Sequence, residues 1–494
     1  MTTNFNAEAY KERQMSFPEI TFKDFEALDD MELRKDIAQK NKILSTDAYN
    51  RTMTYLKWEK KSRQKETYTL TFRKSPNKVS NVVYWVRNIV KKLLWKKFTQ
   101  AELDFAADYY KEQAKKWANW YFDKKMWQEL VVDAGWYLPV EVKAVDDWTV
   151  LRVWEPVMSI SWPWELAAVF EPELLRVFFQ SVVATDMRFI ENIIWAWRVV
   201  EFWKRAAINE RAHIDAVEAL YVWGWLTWTS NDIAWATIPQ VNSSWTTAHR
   251  YLACYSTEDE AFRNAIEKTD KVALLVDLVD SYKWIDKIIT LKKEYRAKWK
   301  TIWIRLDSWD LVDQALYALK RQKEEWLLDP LKDKIVVADI SNVDKIREIE
   351  DRVREIWFGP KDFIVYWLGG LLVIKNKLRD SVSAAFKLTK TEEFDTWKLS
   401  NDAWKEAIPW ELNVEIRADA RYIVQENEEI LWERLLKTVY SNWKLFFEWN
   451  DIEALDKARA RVIESEKLAL LPTKKSEKTQ ALQKEVKERF MKAI

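Results

Sequence analysis

The sequence predicts an α/β protein whose central layer is a parallel sheet, and three observations carry that expectation. Between about 155 and 390, helical segments alternate with short apolar runs: KVALLVDL, KTIWIRLDS, KIVVADIS and DFIVYWLGG. Each run is rich in Val, Ile and Leu, which suits a strand buried on both faces. Each ends in polar residues or a Gly turn, and helical stretches such as NVDKIREIEDRVREI lie between them, as crossover connections require. A barrel and an open sheet both fit this pattern. In either, ligand sites collect just past the carboxyl ends of the strands, which here read DLVDSY, RLDSWDL, ADISNVDK and WLGGLL.

In chain order, residues 1–44 form a polar extension with MELRKDIAQK as its clearest helix. Residues 45–154 read as an amino-terminal α/β domain. It comprises a helix TDAYNRTMTYLKWEKK, a strand TYTLTFR and a helix FTQAELDFAADYYKEQAKKW, then YLPVEVKAV and TVLRVW, which alternate as paired strands do. Residues 155–390 are the region of alternating helices and apolar strands. Residues 391–494 return to strands, LNVEIRA and TVYSNWKLFFEW, expected to rejoin the amino-terminal domain. A charged helix after Pro472 closes the chain with a solvated face.

Composition narrows the function classes. A length of 494 residues suggests about three domains, and 79 Lys+Arg against 78 Asp+Glu leaves no basic excess for binding nucleic acid through its phosphates. The single cysteine, Cys254, excludes an intrachain disulfide framework and a Cys-rich zinc site. MTTNFNAEAYKERQ carries no apolar leader, and the longest apolar stretch, 363–374, is too short to span a bilayer. The expectation is a soluble protein of a reducing compartment with no membrane partner.

The chain has 32 Trp and 5 Gly, whereas ordinary usage would give about 35 Gly at this length. Several Trp occupy turn positions. Trp443 follows Asn442 between two β-rich runs, where a type I′ hairpin calls for Asn-Gly, and Trp148 follows Asp147 in the analogous place. Trp162 and Trp164 flank Pro163, and Trp309 follows Asp307-Ser308 at a strand end, all taken as tight turns. An indole at positive φ is a steric outlier, while Gly is the default. The expectation is that UGA codons read as Gly by the source are written here as Trp. The alternative is a non-catalytic, Trp-rich protein that stacks bases or sugars, which would place Trp on faces. Trp117 and Trp120 fit either.

With Gly restored at these positions, YVWGWLTWTSN becomes a Gly-rich turn ending in GTSN, QVNSSWTTAH a GTxAH motif, IRLDSWDL an RLDSGDL, EFWKRAA an FGKRAA and VYWLGGLL a YGxGG loop. Together with TDAYNRTM, FRKSP and KLSNDAWKEAIPW, this ordered series resembles nicotinate phosphoribosyltransferase over about residues 45–475. The resemblance implies an irregular α/β barrel of the type II phosphoribosyltransferases with a split amino-terminal domain, in a cytoplasmic homodimer of NAD salvage. It implies nicotinate and phosphoribosyl pyrophosphate as substrates, ATP as co-substrate and Mg2+ as cofactor.

It also implies roles. Asp307 addresses the ribose hydroxyls or the metal-bound diphosphate, with Asp310 beside it, although both also read as N-caps of the next helix. Arg305 lies against the nicotinate ring or its carboxylate. Lys204, Arg205 and Arg73 hold anionic groups, a task suited to a guanidinium fork. Gly359, Gly369 and Gly370 cradle the product phosphate, and Tyr49 stacks on the pyridine ring. His249, one of two histidines, is the phosphohistidine through which ATP hydrolysis is coupled. His213 forms an ExxH with Glu210 but has no second such pair, and reads as structural. Thr229 and Ser230 line the base. The related nicotinamide phosphoribosyltransferases carry Asp after the Gly-Thr of that motif, where an amide is accepted, whereas the hydroxyl of Ser230 can donate to a carboxylate. Nicotinate is therefore the expected base, with nicotinamide as the alternative.

Overall fold

The computed structural model describes residues 16–47, 64–75, 79–84, 86–90, 97–116, 122–132, 137–163, 179–202, 207–224, 228–373, 379–393, 407–442, 444–446 and 451–492, with scattered residues between. They divide into two compact units. One comprises Met1–Phe178, Arg379–Asp451 and Ala460–Ile494, and the other Phe179–Leu378 with Ile452–Arg459.

The second unit is built on seven parallel strands: β1 (Val199–Glu201), β2 (Trp228–Thr229), β3 (Asn242–Ser243), β4 (Lys271–Leu275), β5 (Thr301–Leu306), β6 (Ile335–Ala338) and β7 (Ile364–Leu368). Their hydrogen-bonded order is β3-β2-β1-β7-β6-β5-β4. The two ends of that list also meet. Thr247, just past β3, donates its amide to the Ala273 carbonyl at 3.2 Å, and its hydroxyl accepts the Leu275 amide at 2.9 Å. Strands therefore neighbour one another in sequence order around a ring, and the seam is made by Thr247 in place of a regular ladder. Between the two architectures the sequence allowed, the molecule takes the barrel.

Period-two alternation sorts the side chains of each strand. Val200, Ala273, Val336, Ala338, Val365 and Trp367 form one buried cluster on the inner face, with Phe202 and Trp303 against it. Ile302, Ile304 and Leu306 point the other way and are buried beneath the helices. Those helices, including Ser281–Arg296, Leu311–Glu324 and Val343–Glu355, are N-capped by Asp280, Asp310 and Asn342, whose side chains accept first-turn amides.

In the first unit, an antiparallel sheet orders its strands Ala384–Thr391, Lys65–Phe72, Pro156–Pro163, Glu141–Ala144, Lys437–Ser441 and Lys444–Leu445. The alternating segments 137–145 and 149–154 do contain strands, but these do not pair with each other. Glu141–Ala144 pairs with Pro156–Pro163, whereas Thr149–Arg152 pairs with Ser80–Val83 in a separate sheet. Alternation identifies a half-buried strand and says nothing of its partner. A fully buried bidentate pair, Arg421 with Glu155 at 2.8 and 2.7 Å, joins the strand Arg421–Gln425 to the chain before Pro156.

Backbone geometry bears on the tryptophans. Among the described residues, ten non-Gly residues have positive φ, and seven are Trp: 148, 154, 299, 309, 326, 357 and 410. Trp148 and Trp309 stand at turns, as expected. Asn442 also has positive φ between the antiparallel strands Lys437–Ser441 and Lys444–Leu445, as the first residue of a type I′ loop must. Trp162 differs from expectation: it lies inside the strand Pro156–Pro163, opposite Glu66 and fully buried, so Pro163 marks a strand end and no turn at 162. Trp164, Trp443, Trp117 and Trp120 lie outside the described residues.

Three further Trp sit at helix ends. Trp326 donates its amide to the Lys323 carbonyl while Leu327 donates to Gln322; Trp357 donates to Arg354 while Phe358 donates to Val353; Trp299 donates to Arg296 while Lys300 donates to Tyr295. Each set is the paired bond pattern of a Schellman termination with Trp at the left-handed position, where Gly is the usual residue. Their indoles are 82, 86 and 93% exposed at 299, 326 and 357.

Candidate active site

The carboxyl ends of β3, β4 and β5 bring three predicted residues and one unpredicted one together. His249 opens the short helix His249–Leu252, two residues beyond the Thr247 seam. Its Nε2 lies 3.0 Å from Oδ1 of Asp277, which follows β4, although the contact is not aligned as a hydrogen bond. Asp307 follows β5, and its Oδ1 accepts from Arg305 Nη2 at 2.8 Å. One donor atom each from His249, Asp277 and Asp307 falls within 4.8 Å of the others. Asp277 and Asp307 are nearly buried, while the His249 side chain is half exposed.

Arg305 is the hub. Its Nη1 donates to the Thr247 carbonyl at 3.2 Å, and its guanidinium lies 5.1 Å from the centre of the Phe202 ring. One cation therefore ties the barrel seam to Asp307 and to the aromatic ring at the end of β1. Ser308 donates to Asp277 Oδ2 at 2.5 Å, which fixes the second carboxylate. The arrangement presents two oriented carboxylates, an accessible imidazole and a buried cation at one rim, a set able to hold anionic groups and a divalent ion in fixed geometry.

The other expected residues distribute as follows. Thr229 ends β2 and Ser230 follows it, with Thr229 buried and Ser230 half-buried. Gly369 and Gly370 follow β7 at the carboxyl rim, and a Cβ on Gly370 would meet nothing within 4 Å. Gly359 is placed elsewhere: it precedes β7 and caps Pro360–Phe363, at the opposite end of that strand from Gly369. Asp310 caps the helix after β5, its Oδ1 accepting from Val312 and Asp313 at 3.0 Å each. Lys204 pairs with Glu210 at 2.6 Å on the surface. Arg73 belongs to the other unit, where its guanidinium lies 5.3 Å from the Trp154 ring. Tyr49 and Arg205 lie outside the described residues. Trp367 fills the inner face of β7, its ring 4.7 Å from Phe202 and its Nε1 buried without a partner.

Sequence reasoning missed Asp277 and Phe202. Asp277 carried the signal already used for Asp307, an acid immediately after an apolar run. Phe202 lay one residue past a strand too short to detect.

Comparison with solved structures identifies the architecture. The structure of human nicotinic acid phosphoribosyltransferase matches with a TM-score of 0.63 over 89% of this chain and 99% of that one, at 17% identity. Nicotinate-nucleotide pyrophosphorylase from Pyrococcus furiosus matches with a TM-score of 0.61 over 86% and 95%, at 16% identity. The chain has the type II phosphoribosyltransferase fold. In sequence, nicotinate phosphoribosyltransferase pncB2 from two strains of Mycobacterium tuberculosis is 25% identical over 277 residues, covering 54% of this chain and 55% of the relative. The match thus spans about half the length of those curated relatives. No protein-family model matches the chain. In a type II phosphoribosyltransferase fold, the rim carrying His249, Asp277, Arg305 and Asp307 is the carboxyl end of the parallel strands, where barrel enzymes place their chemistry.

Among the described residues, no helix is long and apolar enough to cross a membrane.

Proposed function

We propose that the protein is a nicotinate phosphoribosyltransferase, which forms nicotinate mononucleotide and pyrophosphate from nicotinate and phosphoribosyl pyrophosphate, with ATP hydrolysis coupled through His249. The observation that carries this reading is the convergence of His249, Asp277, Arg305 and Asp307 on one rim of the barrel. The pyridine nitrogen attacks the anomeric carbon as pyrophosphate leaves, so the transition state has oxocarbenium character and needs its charges held in place. Asp307, oriented by Arg305, suits the ribose hydroxyls. Arg305, with Phe202 beneath it, suits a flat aromatic anion, since a guanidinium can stack and donate at once.

The donor set fits Mg2+, a hard cation that takes one or two carboxylates and keeps several waters. Asp277 and Asp307 would hold it. Bound there, it would draw charge from the diphosphate. The half-exposed imidazole of His249 is reachable by a phosphoryl donor, with the Asp277 carboxylate 3.0 Å from its Nε2.

The reading extends to the sequence itself. Seven positive-φ Trp, three of them at Schellman positions, and the partnerless Nε1 of Trp367 in the barrel core support Gly as the native residue at these sites. A cytoplasmic homodimer completes the reading.

The test is turnover of phosphoribosyl pyrophosphate with nicotinate and with nicotinamide, each with and without ATP, for the chain as written, which should be inactive, for the chain with Gly at the positive-φ Trp positions and at 367, which should be the enzyme, and for His249→Ala in the latter. Nicotinate should be the faster base, and His249→Ala should lose ATP stimulation. Faster turnover of nicotinamide, or ATP stimulation that survives in the variant, would overturn the corresponding part.

A further inference from the structure

Behind the ends of β1 and β2, on the side away from the inner cluster, lies a fully buried set of polar side chains. His213, Glu201, Thr229 and Asn231 are all 0% exposed. His213 Nε2 is 2.8 Å from Glu201 Oε1, and its Nδ1 is 2.7 Å from Asn231 Nδ2. The protons follow from the geometry. Asn231 caps the helix Asp232–Thr237, so its Oδ1 accepts the Ile233 and Ala234 amides and the orientation of its amide is fixed. One Nδ2 proton goes to Glu210 Oε1 at 3.0 Å and the other to His213. Nδ1 of His213 must then accept, and its Nε2 must carry the proton that Glu201 receives.

The same groups hold the turn after β2 residue by residue. Thr229 donates its hydroxyl to Glu201 Oε2 at 2.5 Å and accepts the Asn231 amide at 3.1 Å. The Ser230 amide donates to the Glu201 carbonyl at 3.0 Å. Thr229, Ser230 and Asn231 are thus each pinned to Glu201 or His213, and Ser230 is the residue assigned to the substrate base. Fully satisfied buried networks of this kind fix a single geometry.

We propose that His213 is a positioning residue for base recognition, which sets the Thr229–Ser230 turn through Glu201 and Asn231 without touching substrate. The inference rests on the phosphoribosyltransferase reading above. A turn displaced by a fraction of an ångström should weaken selection of the base and leave binding of the phosphoribosyl donor intact.

The experiment compares His213→Leu and His213→Gln in the full-length chain, with KM for nicotinate, KM for phosphoribosyl pyrophosphate, kcat and melting temperature as readouts. His213→Leu should raise the nicotinate KM roughly ten-fold or more and narrow the preference for nicotinate over nicotinamide, with the other KM unchanged. His213→Gln, which can donate to Glu201 and accept from Asn231, should restore most of the loss. An unchanged nicotinate KM, or equal loss for both substrates without rescue by Gln, overturns the inference. Glu201→Gln, which replaces an accepting oxygen by a donor, supplies the same comparison if His213→Leu does not fold. All variants are made in the chain that carries Gly at the positive-φ Trp positions and at 367; if that parent turns over neither base, the phosphoribosyltransferase reading falls and this inference with it, whereas an active parent with an unmoved variant overturns this inference alone.

Discussion

Replacing Trp299, Trp326 and Trp357 together by Gly should stabilise the barrel unit, although each change deletes the largest side chain. All three hold positive φ at Schellman positions. The left-handed conformation costs an L-residue about 1–2 kcal/mol, and Gly is free of that cost. The indoles are more than four-fifths exposed, so little buried area is lost. Among the described residues, the compensating contact is Lys332 Nζ, 5.2 Å from the Trp299 ring, worth about 0.5–1 kcal/mol at an exposed site. A net gain of about 1 kcal/mol per site, or about 3 kcal/mol for the triple variant, follows if the sites act independently. With an m-value of about 2–3 kcal/mol/M, the urea midpoint should rise by about 1 M at unchanged m. Trp127→Gly is the control: that side chain is buried at 2% exposure within a helix, and its loss should lower stability by about 3–5 kcal/mol. A midpoint that stays or falls in the triple variant would refute the strain argument, and UGG codons at Trp148 and Trp309 would refute its genetic explanation.

Two further predictions concern buried charge. Burial lowers the Lys292 amine from its ordinary 10.5 to about 8, against the opposing pull of Asp333 at 3.2 Å. Between these values the unfolded chain binds the proton and the folded chain does not, so stability should rise with pH from about 8 to about 10.5. Lys292→Met should flatten that rise, leaving only the smaller share of Lys271 and Lys334, which burial also lowers, while Asp333 keeps Arg296 at 3.1 Å; midpoints measured at both ends of the window check it, and a slope undiminished in the variant would refute the assignment. Arg421→Met strands the buried carboxylate of Glu155 and should cost about 3–5 kcal/mol, most of it recovered when Glu155→Leu is added. A single variant that unfolds at the parent's urea concentration would show that the pair contributes nothing.

The strands β4 to β7 were legible because each is a continuous apolar run that stops at a polar residue, the pattern of a strand covered on both faces. β1 to β3 were not, since VVE, WT and NS are too short to carry any periodicity and owe their conformation to their neighbours. Asp307 and His249 were found from their motifs, whereas Asp277 was passed over in an equivalent place. Gly359 shows the converse: it shares a segment with Gly369, but the five residues of β7 carry the chain from one end of the barrel to the other between them. Turn chemistry identified Trp148 through the Asp147 before it and Trp309 through the preceding Asp307-Ser308. Trp299, Trp326 and Trp357 follow ordinary charged helix ends, and only the bond pattern reveals the helix termination. Glu201 and Asn231 carry no signal of burial in sequence, because it depends on the helix Glu210–Gly224, whose His213 bonds to both.

The seam at Thr247 has a mechanical consequence. Six of the seven joints in the ring are ladders between strands, and the seventh rests on one residue's amide and hydroxyl, with the Thr246 hydroxyl beside it. A ring opens where it is joined most thinly. His249 stands two residues from that joint, and Arg305 donates to the Thr247 carbonyl from within, so a motion that loosened the barrel there should also move the imidazole. Amide exchange at Leu275 should therefore report the mobility of His249, and ligands that engage Arg305 would act on the histidine by tightening or slackening the hoop.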